Sequence, residues 1–261
     1  MKQKSIRKER INMKKIFIGT LLAIFIFPIT TFAQEDEFKV IAQETKYYKT
    51  IIVNSNFNSL NSKEQLNGNS NSVEITKEEY ENAPEGNIST YANGSVETTY
   101  KRLTTSILNN GSTYRYQANL TWKNIPSTRS YDIIAIGHNS NVKCNGLIYF
   151  SQTYCLTNGT CRTLSTHYPK QFSTGVGTSF QVPTGNLKSL SQTLYFDVTK
   201  NTSSTITAQY AYGDYSHATS NVSLSQSKQY SVGTSSIYLN GSVEGHYDTI
   251  PTAVASWNGS W

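Results

Sequence analysis

The polar and aromatic residues best suited to binding chemistry lie together in residues 210–217, which read YAYGDYSH. The first two tyrosines continue an alternating strand pattern, and the Gly-Asp pair that follows is typical of a turn. This turn would place four side chains at a loop tip: Tyr212, Asp214, Tyr215 and His217. A tyrosine ring beside a carboxylate and an imidazole suits a sugar, because ring faces stack on apolar sugar faces while hydroxyl groups need directional partners. These four residues are the predicted ligand-binding site, and an ordinary turn is the alternative.

Catalytic and metal-binding motifs are not found in the sequence. The histidines occur outside any zinc-protease motif, and the sequence has neither a nucleophile elbow nor a phosphate-binding glycine loop. The six carboxylates after residue 95 show no spacing that favours glycoside cleavage. The sequence therefore predicts no catalytic residue, no metal site and no cofactor, although a Ser-His-Asp triad could still assemble across the fold.

The sequence contains three cysteines, Cys144, Cys155 and Cys161. A hairpin loop at residues 157–159 would place Gly159 where a positive φ is needed and would set Cys155 directly opposite Cys161. A Cys155–Cys161 disulfide is therefore expected, with Cys144–Cys155 pairing or three reduced thiols as alternatives. A bridge over so short a loop would stiffen a hairpin rather than hold the fold together.

The first 33 residues have the three parts of a secretory signal peptide. They carry seven basic residues and one acidic residue, then an apolar run over Ile16–Ile29, then small residues around Ala33. This segment accounts for the formal net charge of +6, so the remaining chain gives no electrostatic reason to expect a nucleic-acid partner. The apolar run is short for a membrane span. We expect cleavage after Ala33, a secreted extracellular protein without a stable transmembrane anchor, and translation from either Met1 or Met13.

Residues 34–95 differ in composition from the rest of the chain. They contain ten acidic residues, five lysines and a low-complexity run rich in Asn and Ser, and the spacing of Thr76 and Glu79 indicates the start of a short helix. Such a composition buries little apolar surface, so an acidic low-complexity linker is one interpretation. Because residues 96–261 carry an excess of basic residues, an acidic pro-segment that docks on a basic domain is the other.

From Val96 onward, short strand patterns alternate with turn residues, and no convincing helix is found. The pattern gives roughly ten short strands at spacings of roughly 10–15 residues. This predicts an all-β fold in which residues 96–261 form an antiparallel β-sandwich or jelly roll, preceded by the signal peptide and the polar acidic segment.

The centre of the predicted sandwich is the stretch from residue 113 to residue 138. Tyr114–Trp122 alternates apolar and polar residues, as a strand with one buried face does. Tyr131–Gly137 is almost entirely apolar, as a strand covered on both faces is. Asp132 is expected to form an ion pair with Arg129, and Arg129 and His138 remain open to a functional role.

These features favour a secreted, non-catalytic β-sandwich that binds carbohydrate or another cell-envelope polymer. A secreted β-structured toxin or pore-forming protein is an alternative, because several polar-apolar alternations resemble transmembrane hairpins, although they are short for a bilayer crossing. A secreted hydrolase without a recognisable motif is another. The expected partner is a cell-envelope glycan or surface polymer and not a nucleic acid, and no oligomeric state is predicted. The terminal segment Trp257–Trp261 is equally consistent with packing on the sandwich and with an exposed aromatic patch.

Overall fold

The computed structural model describes residues 37–53, 71–87 and 96–261, and the predicted signal peptide lies outside these ranges. In chain order the strands are β1 (Lys39–Val53), β2 (Asn71–Ile75), β3 (Gly86–Asn87), β4 (Val96–Asn109), β5 (Tyr114–Trp122), β6 (Asn124–Ile125), β7 (Tyr131–His138), β8 (Val142–Leu156), β9 (Cys161–Leu164), β10 (Tyr168–Phe172), β11 (Gly175–Gln181), β12 (Leu187–Lys200), β13 (Ala208–Ala218), β14 (Tyr230–Val232), β15 (Ile237–Leu239), β16 (Tyr247–Thr249) and β17 (Ala253–Asn258). The helices are α1 (Lys77–Asn82), α2 (Leu224–Ser227) and α3 (Gly241–Glu244). In the three described ranges, no helix is long and apolar enough to cross a membrane.

Two antiparallel sheets pack against each other, which confirms the predicted all-β class. The first sheet has the strand order β2-β1-β4-β5-β12-β8-β9. The second has the order β10-β11-β7-β13-β16, and β17 also pairs with β13. Along β5, every second residue from Tyr114 to Trp122 is buried, and these residues join the main core between the sheets. The predicted alternation therefore identifies correctly which side chains of β5 lie on the inner face of the first sheet.

Strand β7 is covered on both faces, as its apolar sequence predicts. Ile134 and Ile136 belong to the main core between the two sheets. Ile133 and Ala135 belong to a second core, which side chains of β14, β15 and α3 complete on the other side of the second sheet. The second sheet is thus the middle layer of the molecule at this point.

Two strands of residues 34–95, β1 and β2, belong to the first sheet. β1 pairs with β4 along its whole length and pairs with β2 on its other edge. Tyr48 and Thr50 on β1 are completely buried, so the linker interpretation is wrong for these residues. α1 begins after Thr76, whose hydroxyl accepts the backbone N–H of Glu79, as predicted. The pro-segment interpretation stays a prediction.

The predicted turn at Gly159 and the predicted disulfide are confirmed. Gly111 has a φ of +94° between β4 and β5, and Gly159 has a φ of +88° between β8 and β9. Cys155 and Cys161 are direct cross-strand partners and form a disulfide. Cys144 is a buried free thiol, which excludes the alternative Cys144–Cys155 pairing.

Candidate functional site

The structure places the predicted ligand-binding residues inside a continuous strand. β13 runs from Ala208 to Ala218 without interruption, so the predicted turn at Gly213 is wrong. Close packing explains the glycine, since a Cβ atom at this position would lie 1.9 Å from the Oγ1 atom of Thr105 on β4. Side chains alternate between the two faces of a strand. The four predicted residues are therefore divided between two faces and do not form one site.

Tyr212 and Asp214 lie on the face of β13 that is turned away from the first sheet. The Asp214 carboxylate accepts the backbone N–H of Ile237 on β15 at 2.7 Å and that of Tyr215 at 2.9 Å. Burial raises the pKa of Asp214 to about 7, although these two hydrogen bonds act in the opposite direction. Tyr212 is half-buried and stacks on Tyr210, with ring centroids 6.1 Å apart. Asp214 thus fastens β15 to the sheet from inside the protein.

Tyr215 and His217 point into the main core and share the carboxylate of Asp132. The Tyr215 hydroxyl donates to Oδ2, and the His217 Nδ1 atom lies 3.0 Å from the same oxygen. The backbone N–H of Ala218 donates to Oδ1 at 2.8 Å. All three side chains are completely buried, and burial raises the pKa of the Tyr215 hydroxyl well above its ordinary value. The predicted pair of Asp132 with Arg129 is wrong, and Arg129 donates to backbone carbonyl groups.

A second buried charged cluster lies in the same core. The Lys101 Nζ atom on β4 is 2.9 Å from the Oδ2 atom of Asp248 on β16. The hydroxyl groups of Thr50 and Ser72 donate to the same oxygen at 3.0 and 2.5 Å. Burial alone would raise the pKa of Asp248, but the Lys101 charge and these hydrogen bonds together lower it below its ordinary value. Asp248 is therefore a carboxylate that is held beside Lys101 between the two sheets.

The remaining positions that the sequence left open have packing roles. His138 is buried, its Nδ1 atom lies 2.9 Å from the carbonyl oxygen of Asn139, and burial lowers the pKa of its imidazole. Trp257 and Trp261 lie against Tyr114, with ring centroids 5.3 and 4.5 Å away. The terminal tryptophans therefore pack on the sandwich, which was one of their two predicted roles.

The best candidate site is a cleft that the sequence did not reveal, between the edge strands β9 and β10. We name it the tyrosine cleft. Its volume is about 410 Å³, within the range of roughly 300–1,000 Å³ typical of small-molecule sites. Its main lining residues are Tyr131, Tyr154, Tyr168, Gln152, Gln181 and Leu164. They come from both sheets, so the cleft forms where the edges of the sandwich separate.

The tyrosines present ring faces and hydroxyl groups to this cleft. The rings of Tyr131 and Tyr168 have centroids 6.4 Å apart and planes inclined by 57°. Both residues are half-buried, and the Lys228 Nζ atom lies 4.5 Å from the Tyr168 ring centre. Tyr154 is 8% exposed. Within the described chain, the hydroxyl groups of these three tyrosines donate no hydrogen bond, so they are available to a ligand.

A fixed amide lies in the cleft beside the tyrosines. The Gln152 Nε2 atom donates to the carbonyl oxygen of Gln181 at 3.0 Å, and its Oε1 atom accepts from the Gln192 Nε2 atom at 3.1 Å. Gln152 and Gln192 are buried, whereas the Gln181 side chain is exposed. One amide of the site is therefore held in a single orientation while another remains free to turn toward a ligand.

The chemistry of the cleft is that of a neutral polar ligand. Of the residues that the structure describes, no acidic, basic or histidine side chain lines it. Likewise, in 37–53, 71–87 and 96–261 no three His, Cys, Asp or Glu side chains come together as metal ligands. Ring faces, amides and hydroxyl groups can bind a sugar through stacking and directional hydrogen bonds.

A larger cavity of about 870 Å³ lies between α1 and the disulfide hairpin. Its lining mixes basic residues such as Arg102 and Lys188 with acidic residues such as Glu81. Lys123 also lines it, and its Nζ atom donates at 2.6 Å to the carbonyl oxygens of Tyr80 and Glu81, which holds the end of α1 on the sheet. The mixed charges of this cavity favour no single class of ligand.

Comparisons with known proteins identify no family for this chain. No family model matches the sequence, and no curated protein matches it. The solved structures that resemble it include the "Streptococcus agalactiae AgI/II polypeptide BspA C terminal domain (WT)" with a TM-score of 0.32 and "BspA_C_WT" with a TM-score of 0.31. Each is 8% identical in sequence, and each alignment covers 81% of this chain and 84% of that chain. The fold class therefore rests on the strands and sheets of this chain itself.

Proposed function

We propose that this protein is secreted and binds carbohydrate of a cell envelope, without cleaving it, in the tyrosine cleft. The observation that supports the proposal is a lining of three tyrosines and two glutamines with no charged side chain among the described residues. The inclined rings of Tyr131 and Tyr168 offer two stacking faces to a sugar ring. The exposed side chain of Gln181 supplies hydrogen-bonding groups for sugar hydroxyls, and the buried amide of Gln152 fixes the wall of the cleft beside it. Secretion is proposed from the signal-peptide pattern of residues 1–33.

Binding without cleavage is favoured by the position of the carboxylates. Glycoside hydrolysis ordinarily uses two carboxyl groups on either side of the scissile bond. The described lining of the cleft contains none. Asp132, Asp214 and Asp248 are at most 2% exposed, so a polymer chain cannot reach them in the folded protein. A sugar in the cleft would therefore be held but would not meet an acid and base pair.

An array of neutral, acidic and peptidoglycan-derived oligosaccharides tests the proposal. We expect saturable binding to neutral oligosaccharides, loss of binding in Tyr168→Ala, and retention of binding in Tyr149→Ala. Tyr149 is a matched control because it is 42% exposed and stacks on Tyr195 at 4.8 Å, outside the cleft. Binding that Tyr149→Ala abolishes and Tyr168→Ala preserves would contradict the proposed site.

Two further measurements separate the proposal from its alternatives. The bound oligosaccharide should be recovered with its chain length unchanged, and shortened products would indicate a hydrolase. The protein should leave dye-loaded liposomes intact, and dye release at the concentrations used for sugar binding would indicate a pore-forming protein instead.

A further inference from the structure

We propose that Lys101 and Asp248 become joined by an amide bond between the lysine Nζ atom and the side-chain carboxyl carbon of the aspartate. The Nζ and Oδ2 atoms are 2.9 Å apart, and the two side chains are 0% and 2% exposed. The link would connect β4 of the first sheet to β16 of the second sheet, across 147 residues of sequence. It would be an internal covalent tie between the two layers of the sandwich.

The surroundings of the nitrogen suit an amide better than an ammonium group. An ammonium group has three N–H donors, but its one hydrogen-bond acceptor in the described chain is Asp248. The ring centres of Trp122 and Tyr215 lie 5.0 and 6.0 Å from the nitrogen. A buried ion pair is costly when its donors are not all satisfied. An amide nitrogen has a single donor and no charge, so condensation lowers this cost.

The oxygen of the aspartate is already placed as an amide carbonyl would be. The hydroxyl groups of Thr50 and Ser72 both donate to Oδ2. These two hydrogen bonds can persist after the bond forms, with Oδ2 as the carbonyl oxygen, while Oδ1 is the oxygen that leaves. The same hydrogen bonds draw electron density from the carboxyl carbon and favour attack on it.

The reaction needs no oxidant, reductant or second substrate. One ammonium proton passes to the carboxylate across the existing hydrogen bond, which gives a neutral amine and a carboxylic acid. The nitrogen lone pair then attacks the carboxyl carbon, so that a C–N bond forms and one C–O bond breaks. The second proton that the nitrogen loses and the proton on Oδ2 both pass to Oδ1, which leaves as water, while Oδ2 remains as the carbonyl oxygen. An ammonium and a carboxylate thereby become one amide and one water molecule.

Proximity and the dry interior favour this condensation. Reacting groups held in contact have effective concentrations of about 10⁵–10⁸ M. Both side chains lie in a core that excludes water, so the water released does not return readily to reverse the reaction. The same two groups in solution would remain an ion pair.

His217 is placed to carry the second proton. It is the direct cross-strand partner of Asp248 in the pairing of β13 with β16, and such partners project from the same face of a sheet. Asp132 holds its Nδ1 atom at 3.0 Å. Its buried Nε2 atom has no hydrogen-bond partner among the described residues. Asp132 is thus a positioning residue for an imidazole that faces the reacting pair.

Mass spectrometry of the full chain tests the proposal on the wild-type protein. With the disulfide reduced and the N-terminus determined, we expect an intact mass lower than the calculated mass by one water molecule. Tryptic digestion after denaturation should give a branched peptide that contains both Lys101 and Asp248. Lys101 should also resist acetylation in the denatured protein, whereas Lys46 should be fully modified.

Variants establish which residues form the bond. Lys101→Met and Asp248→Ala should restore the full calculated mass, whereas Lys46→Met should keep the deficit, because Lys46 belongs to the partly exposed pair with Glu74. His217→Gln should slow the appearance of the deficit during refolding, whereas Lys46→Met should leave its rate unchanged. A folded wild-type protein with no mass deficit, in which denaturation makes Lys101 as reactive as Lys46, would overturn the proposal even if every variant failed to fold.

Discussion

Tyr131 and Tyr168 lie in tilted contact at the edge of the sandwich, with ring centroids 6.4 Å apart and ring planes inclined by 57°. Tyr168→Ala removes one of the two stacking faces and should weaken oligosaccharide binding about tenfold, which corresponds to about 1.4 kcal/mol. Tyr168→Phe keeps the ring and should lose less affinity. Calorimetric titration of the three proteins measures the difference, and equal loss in both variants would assign the effect to the hydroxyl group instead of the ring.

Substitutions of Gln152 and Gln192 should have non-additive effects on the free energy of unfolding, because the two amides are hydrogen-bonded to each other. Gln152→Met leaves the buried Gln192 amide and the Gln181 carbonyl oxygen without a partner, and should lower the free energy of unfolding by about 1–3 kcal/mol. Replacing both glutamines with methionine removes both polar groups from the Gln152–Gln192 bond and should recover part of this loss. Urea denaturation of the single and double variants tests this, and purely additive losses would contradict it.

Gly213 is expected to be essential for stability, because Thr105 of the opposite sheet leaves no room for a side chain there. In Gly213→Ala, the new Cβ atom would lie 1.9 Å from the Thr105 Oγ1 atom, and we expect a loss of about 3 kcal/mol in unfolding free energy. Thr105→Ala removes that oxygen, which is buried and has no hydrogen-bond partner in the described chain, so it should cost little alone. Combined with Gly213→Ala, it should restore most of the stability. A double variant no more stable than Gly213→Ala would show that the contact is not the cause.

Asp214 should make the protein less stable as the pH rises. The pKa of an unfolded aspartate is about 3.9, whereas burial raises the pKa of Asp214 in the folded protein to about 7. The folded state therefore binds this proton more tightly, and the associated stability is fully present below about pH 4 and is lost as the pH rises to about 7. Relative to Asp214→Asn, the unfolding free energy of the wild type should fall by up to about 4 kcal/mol between pH 4 and pH 8. Urea denaturation at several pH values measures this, and parallel pH profiles would refute it.

The sequence predicts those elements whose signals are local. The alternation of Tyr114–Trp122, the apolar run of Tyr131–Gly137 and the glycine between Cys155 and Cys161 each determine a strand or a turn within a few residues. β1 was missed because its outer residues are polar and its pairing with β4 joins segments about 60 residues apart. The average composition of residues 34–95 is polar, and it does not show that alternate side chains of β1, such as Tyr48 and Thr50, are buried.

The functional residues depend on contacts that the sequence does not display. The sequence around Gly213 is typical of a turn, but glycine is needed there because the Thr105 Oγ1 atom of the other sheet occupies the space of a Cβ atom. The tyrosine cleft combines residues of five strands from both sheets with two connecting loops, so no short motif contains it. One signal was present: Gln152 occupies a buried position between Phe150 and Tyr154 on β8, and a glutamine there needs polar partners inside the sandwich.

The most direct test of the proposed function is a crystal structure of the protein with the neutral oligosaccharide that binds best on the array. Our account predicts electron density for a sugar ring stacked on Tyr168 in the tyrosine cleft, with sugar hydroxyl groups within hydrogen-bond distance of the Gln181 side chain. A sugar bound instead on the Tyr149–Tyr195 stack, or in the cavity beside α1, with an empty tyrosine cleft, would contradict it.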